Sequence, residues 1–256
     1  MDLQGCAAIV TGSSSVTGIG AECAKALARR GCNVVINYVT NYEGAKETAA
    51  ACQSLGVDTL IFMGSVAEDD SCRAMVAAAT DKWGRLDALV NNAATTKPIK
   101  HVNMDQLDGD EFIRIYKVNV IGAYQMIRAA TPHLKASGDG AVVNISSTAV
   151  FRASGSSIAY CASKGALNNI TISLARVLAP EVRINAICPG GLLGNWTQSI
   201  LSDEEYQRRV DDAKNKYLLR KAIWPPDVAN TALWLIEGAT TMTGEAVRMD
   251  VGQHLQ

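Results

Sequence analysis

The chain has 256 residues, a length that one hydrophobic core can still serve. Its composition, 48% hydrophobic and 19% charged with 21 Gly and 6 Pro, is that of an ordinary globular protein and excludes collagen-like, disordered and disulfide-framework classes. With 24 Lys and Arg against 25 Asp and Glu the net charge is -1, so no electrostatic footprint for nucleic acid or an anionic membrane surface is present.

Seven cysteines, an odd number without Cys-x-x-Cys or Cys/His metal spacing, point to reduced thiols, a cytoplasmic location and no metal site. No basic start followed by an apolar run, and no stretch of 18 apolar residues, indicates secretion or a membrane span.

Taken in order, short apolar runs at 6–10, 33–37, 58–62, 87–90, 141–145, 183–187 and 245–249 read as seven buried strands. Between them lie amphipathic helices. Ile19, Cys23, Ala26 and Leu27 recur at helical spacing and Gly31 closes that segment; the same pattern covers 44–55, 70–82, 110–134, 159–178 and 226–236. Strands apolar on both faces and separated by helices predict a doubly wound α/β domain, a single unit over 1–256 with a mainly parallel sheet and helices on both faces. Ligands of such sheets bind beyond the carboxyl ends of the strands. The polar, irregular stretch 190–220 is expected to be a lid over that edge, with Trp196, Ile200, Leu201 and Tyr217 offering apolar contacts.

Directly after the first strand stands Thr11-Gly12-Ser-Ser-Ser-Val-Thr-Gly18-Ile19-Gly20. Glycines let a backbone approach a pyrophosphate closely, and the amides and dipole of the helix that follows favour that anion. A plain glycine-rich turn is the competing reading. The absence of a Gly-Lys-Ser/Thr ending argues against a P-loop hydrolase.

A second group is Tyr160 and Lys164 on the helix 159–178, with Ser147 just after the fifth strand. Residues four apart share a helical face, which brings the ammonium near the phenol. A free phenol titrates near pH ~10, and lowering it by roughly three units needs about 4 kcal/mol, within reach of one cation at ~4 Å in an effective dielectric of ~20. Ser147 would then hydrogen-bond a substrate oxygen while Tyr160 donates or accepts its proton. Each residue alone reads more simply as surface or strand-end structure; their coincidence with the glycine loop reverses that.

Together these motifs resemble the short-chain dehydrogenase/reductase family over essentially the whole chain, and among its members the 3-oxoacyl-carrier-protein reductases. The resemblance rests on the glycine loop, Asn91-Asn92-Ala93-Ala94, Asn119 in Val118-Asn-Val-Ile-Gly122, Ser147, Tyr160, Lys164 and Pro189-Gly190. It implies that Tyr160 is the general acid/base and Ser147 orients the carbonyl. It also implies that Lys164 lowers the phenol pKa and holds the nicotinamide ribose, and that Asn119 holds a relay water. By the same resemblance the cofactor contacts are Gly12, Ser14, Gly18, Ile19, Asn37, Tyr38, Ser65, Val66, Asn92, Ala93, Ala94, Tyr160, Lys164, Pro189 and Gly190. Departures are five residues between Gly12 and Gly18 where the family has three, Ala94 for a glycine, Ser65-Val66 for Asp-Val, and a threonine displaced to Thr197. A homotetramer or homodimer through helices 110–134 and 159–178 is also implied.

The expected reaction is interconversion of a carbonyl and a secondary alcohol by hydride transfer, with a small-molecule substrate left open among acyl thioesters, sugars, steroids and other ketones. A non-catalytic dinucleotide-binding sensor or scaffold is the alternative. Strand two ends in Asn37-Tyr38, and the first carboxylate after it is Glu43, so nothing repels a ribose 2′-phosphate. No Arg or Lys lies between 33 and 44 either, leaving Asn37, Thr40, Asn41, Ser13 and Ser14 as neutral donors. NADP(H) is therefore modestly favoured over NAD(H). Cys161 and Cys188 read as packing, His101, His133 and His254 lack metal spacing, and Glu204-Glu205 with Arg208-Arg209 reads as a solvated helix face.

Overall fold

Strands apolar on both sides need a helical layer on each face, and the computed structural model, which describes residues 1–255, has that arrangement. The strands are β1 (Ala7–Val10), β2 (Asn33–Tyr38), β3 (Thr59–Met63), β4 (Ala88–Asn91), β5 (Gly140–Ile145), β6 (Val182–Pro189) and β7 (Ala246–Met249). They pair in the order β3-β2-β1-β4-β5-β6-β7, and every pairing is parallel, where the sequence predicted a mainly parallel sheet.

Alternation along the strands divides the core. Ala8 and Val10 of β1 face one layer, with α1 (Ile19–Ala28), α2 (Tyr42–Gln53) and α10 (Pro225–Glu237). Ile9 faces the other, with α3 (Asp69–Trp83), α5 (Ala123–Ala136) and the end of α7 (Ile158–Leu178). The chain crosses from one edge of β1 to the other between β3 and β4. A crevice opens where such a reversal separates the flanking loops, and the candidate site lies there.

The helix expected over 110–134 is built in three parts: α4 (Gly109–Tyr116), a π-helical turn (Lys117–Gly122) and α5. The wide turn sits where Asn119 is fixed from outside the helix, its amide bonded to Thr95 and Ser163. Gly122 leans on Val66, whose Cγ2 would be 2.7 Å from a β-carbon there. The stretch 190–220 is also more regular than expected. It holds α8 (Asn195–Ile200) and α9 (Asp203–Asn215), the latter opened by a capping box between Ser202 and Glu205. A short helix, α6 (Ala149–Arg152), follows β5. No helix is long and apolar enough to cross a membrane, and no metal-binding group occurs, among the described residues.

Candidate active site

Parallel strands end on one edge of the sheet, so their following loops converge. A cleft of about 350 Å³ opens there, lined among others by Ile19, Asn92, Ala94, Ser147, Tyr160, Lys164, Pro189 and Gly190. Tyr160 owes its place to the start of α7: Ser157 caps the helix by accepting the Tyr160 amide at 3.2 Å, which sets the phenol one turn in, beside β5. Ser147 lines the cleft beside Tyr160 and accepts the Ala149 amide at 3.1 Å. Lys164 is 2% exposed; its ammonium donates to the Ile145 carbonyl at 2.8 Å and lies 5.6 Å from the centre of the Tyr160 ring.

The electrostatics differ from the sequence expectation. Burial pushes the Tyr160 phenol up to about 12, with the Ser147 hydrogen bond acting in the opposite direction. Burial likewise pulls Lys164 down to about 8. In both residues the dominant effect is desolvation, which penalises the phenolate and the ammonium alike. At neutral pH the phenol holds its proton and the lysine its charge.

On the cofactor side the glycine loop is tightly determined. Gly12 has φ +63°, and a β-carbon there would approach Ala93 Cα to 2.9 Å; at Gly20 it would meet Asn92 Nδ2 at 2.5 Å. Asn92 is itself fixed to the carbonyls of Thr11 and Gly12 at 2.9 and 2.8 Å, and Ala93 donates to Thr11. No side chain caps the start of α1, so its first amides remain available beside the cleft that Ile19 lines. Residues 15–17, within the longer loop, do not line the cleft. Gly18 closes a turn onto Ser15, Lys25 holds the Val16 carbonyl at 3.1 Å, and Asn195 of α8 donates to Thr17 at 2.8 Å. An uncapped helix start behind glycines packed against backbone fits a dinucleotide pyrophosphate.

Asn37 is corrected. It is 1% exposed, and its side chain accepts from Gly12 at 3.0 Å while donating to the carbonyls of Gly64 and Phe62 at 2.9 and 3.3 Å. The strand pleat turns it inward, so it braces the cofactor loop and has no donor to spare for a 2′-phosphate. Tyr38, its neighbour of opposite facing, is half-buried with its ring 5.6 Å from Tyr42. Ser14 offers its carbonyl to Asn41 at 2.9 Å, Ser65 accepts the Ala67 amide, and Val66 is buried under Gly122; these, with Gly12, Gly18, Tyr38 and Ala93, flank the cleft and do not line it. Asn119 is 1% exposed, and its side-chain amide is consumed by Thr95 and Ser163.

The stretch 190–220 adds residues that sequence reasoning placed only loosely. Trp196 meets the Tyr160 ring edge-on, centres 6.5 Å apart, and Trp196, Thr197, Ile200 and Tyr217 line the cleft, whereas Leu201 does not. Arg152, Thr148 and Gln253 line it too and were missed. Arg209 was read as a solvated helix residue yet also lines the cleft, and Glu205 is engaged with Ser202 in the capping box of α9. Burial raises the thiols of Cys161 and Cys188, in keeping with packing roles.

Comparison with known proteins agrees with this geometry. A family model described as enoyl-(acyl carrier protein) reductase matches residues 12–254. The chain belongs to the short-chain dehydrogenase/reductase family. It is 40% identical over 248 residues to a Streptomyces violaceoruber protein named for a ketoacyl reductase role in granaticin polyketide synthesis, covering 97% of this chain and 96% of that one. To the 3-oxoacyl-[acyl-carrier-protein] reductase FabG of Staphylococcus aureus it is 31% identical over 250 residues, 97% and 98% of the two chains.

Among solved structures, this dehydrogenase/reductase superposes on a short-chain dehydrogenase/reductase from Burkholderia xenovorans with TM-score 0.90 at 38% identity, covering 98% of each chain. It also superposes on 7α-hydroxysteroid dehydrogenase in complex with NADH and 7-oxo glycochenodeoxycholic acid, with TM-score 0.87 at 27% identity, covering 98% and 94%. Like its family, the chain is an oxidoreductase acting on CH–OH or C=O groups with NAD(P).

Proposed function

We propose that the chain reduces a ketone to a secondary alcohol, with Tyr160 as general acid and Ser147 holding the carbonyl oxygen. One observation carries this: Ser147 and Tyr160 stand together on the cleft wall, near enough for the Ser147 hydroxyl to lower the phenol's pKa against burial, with the Lys164 ammonium 5.6 Å from the phenol ring centre. Bound nicotinamide cofactor supplies the hydride. Tyr160 keeps its proton at neutral pH because it is buried, and delivers it from Oη to the carbonyl oxygen as negative charge develops there. Ser147 donates to the same oxygen and fixes its position. Lys164 keeps a positive charge next to the phenolate that remains, which favours the proton transfer. The Asn119 side chain, engaged with Thr95 and Ser163, ties the π turn to α7 beneath Tyr160 and Lys164. In the oxidative direction the same phenol has to lose its proton first, so that direction is expected to speed up as pH rises.

The names of the relatives support a ketoacyl substrate class, and the Trp196, Ile200 and Tyr217 wall supports an apolar chain beside the carbonyl. NADP(H) is favoured modestly over NAD(H), because β2 presents Tyr38 and no carboxylate, and Glu43 is ion-paired with Lys46. Steady-state kcat/KM for a panel of 3-oxoacyl thioesters, cyclic ketones and their alcohols with both cofactors tests the reading. Reduction of 3-oxoacyl thioesters with NADPH is expected, and a complete lack of hydride transfer despite cofactor binding would leave only a sensor role.

A further inference from the structure

The cleft carries more positive charge than the reaction requires. Among the charged side chains on its wall are Lys164, Arg152 and Arg209 against one carboxylate, Asp212, on a chain whose overall charge is -1. Asp212 is already neutralised by Lys216 at 2.8 Å. Arg152 and Arg209 are not: among the described residues neither side chain has an ion pair or hydrogen bond, whereas Arg85 and Arg114 are held by Asp87 and Glu111.

The two arginines come from different walls. Arg152 ends α6, beyond Ser147, and Ala153 after it has the left-handed backbone (φ 49°) that terminates the helix at the cleft rim. Arg209 lies on α9. Between them stands Tyr217, whose phenol both guanidiniums favour in its ionised form while burial opposes this. That phenol hydrogen-bonds Gln253, and its ring packs on Gly191, where a β-carbon would come within 2.9 Å of Cε2. The fold thus brings two unpaired guanidiniums and a phenol to one cleft that also holds the reacting Tyr160.

We propose that Arg152 and Arg209 select carbonyl substrates that carry an anionic group, a carboxylate or a phosphate ester, away from the carbonyl being reduced. The inference rests on the carbonyl-reductase reading of the same cleft. Guanidinium groups pair with both anions through parallel N–H bonds, and these two, exposed where they line the cleft, are open to an incoming ligand. The anion occupies the Arg152, Arg209 and Tyr217 end, while the carbonyl sits between Ser147 and Tyr160. The arginines never touch the reacting atoms, so they act on substrate binding and leave the proton and hydride steps to the residues already described.

The test uses matched pairs with the cofactor-loaded chain: 4-oxopentanoate against its methyl ester, and 3-oxobutanoyl phosphopantetheine against the dephosphorylated 3-oxobutanoyl pantetheine. The expected result is a preference for the charged member of at least one pair, roughly 10- to 100-fold in kcat/KM and expressed mainly in KM. Which pair shows it tells a carboxylate from a phosphate ester. Arg209→Gln with Arg152→Gln should collapse the preference. Arg208→Gln, an exposed neighbour off the cleft wall, should keep it. Equal kcat/KM within both pairs, or a preference that survives the double substitution, would overturn the proposal. If neither member of either pair is turned over, the reductase reading fails for these substrates. Calorimetric binding of the same compounds to the parent and double variant then still decides whether the arginines bind the anion.

Discussion

Replacing Lys164 by Met tests the electrostatics of the site without relying on turnover. Its folded pKa of about 8 lies below the ordinary lysine value because its ammonium is buried. A gap of roughly 2.5 units means that keeping the charge inside costs the folded state about 3 kcal/mol at low pH. Below pH 8 lysine is protonated in both states and the full cost applies. Between 8 and the unfolded value the unfolded chain binds more protons, so stability rises with pH. Above both values this contribution vanishes.

Met removes that cost and also the donor to the Ile145 carbonyl, a loss of about 1–3 kcal/mol when the acceptor is left bare. The two terms nearly cancel, and Lys164→Met is expected to be as stable as the parent at pH 7 or slightly more so. The sharper expectation is the pH dependence of the difference. From pH 7 to 9.5 the parent should gain about 2 kcal/mol relative to the variant, measured by urea unfolding at each pH. The cysteines are shared by both chains and cancel, apart from Cys188, whose thiol the Lys164 charge lowers against the larger effect of burial. A parent-to-variant difference that stays flat across this range would refute the claim that burial depresses the Lys164 pKa.

Asn37→Asp is expected to lower stability by about 1–3 kcal/mol in thermal unfolding, since a carboxylate would face the Gly64 and Phe62 carbonyls that the amide now serves. Tyr38→Asp, on the other facing of the strand, should instead raise the NAD(H) to NADP(H) ratio of kcat/KM; an unchanged ratio would count against the cofactor assignment. Asn195→Ala breaks the bridge from α8 to Thr17, an exposed bond of about 0.5–1 kcal/mol, and should raise the cofactor KM by roughly two- to fivefold with kcat little altered. A homo-oligomer through α4, α5 and α7 is proposed from the family likeness, and light-scattering mass at micromolar concentration should give a multiple of 27.2 kDa, a monomer mass ruling it out.

The strands were legible because both faces are buried, which leaves uninterrupted runs such as Ala-Ala-Ile-Val in β1 and Ala-Leu-Val-Asn in β4. Tyr160, Lys164 and Ser147 could be matched by chain order and helical spacing, and the fold brings all three to one cleft. What escaped depended on tertiary direction. Asn37 looked like a cofactor donor from its position, but the pleat turns it toward Gly12 and Gly64. The π turn has no local sequence mark; it is set by what Asn119 and Gly122 touch across the fold. Arg209 lies in a run of charges typical of a solvated helix, and only the tertiary fold reveals that it shares a cleft with Arg152. Gln253, close to the end of the chain, reaches Tyr217 in the same way.

The central claim is that the Tyr160 hydroxyl moves the proton. Tyr160→Phe removes one oxygen from a ring that stays packed against Trp196, so the fold and the cofactor affinity should be kept. Single-turnover stopped-flow, following nicotinamide absorbance with saturating NADPH and a reducible ketone, reads the chemical step alone. The account predicts that hydride transfer falls by at least about 10²-fold with cofactor binding unchanged. Transfer at the parental rate in this variant would contradict it.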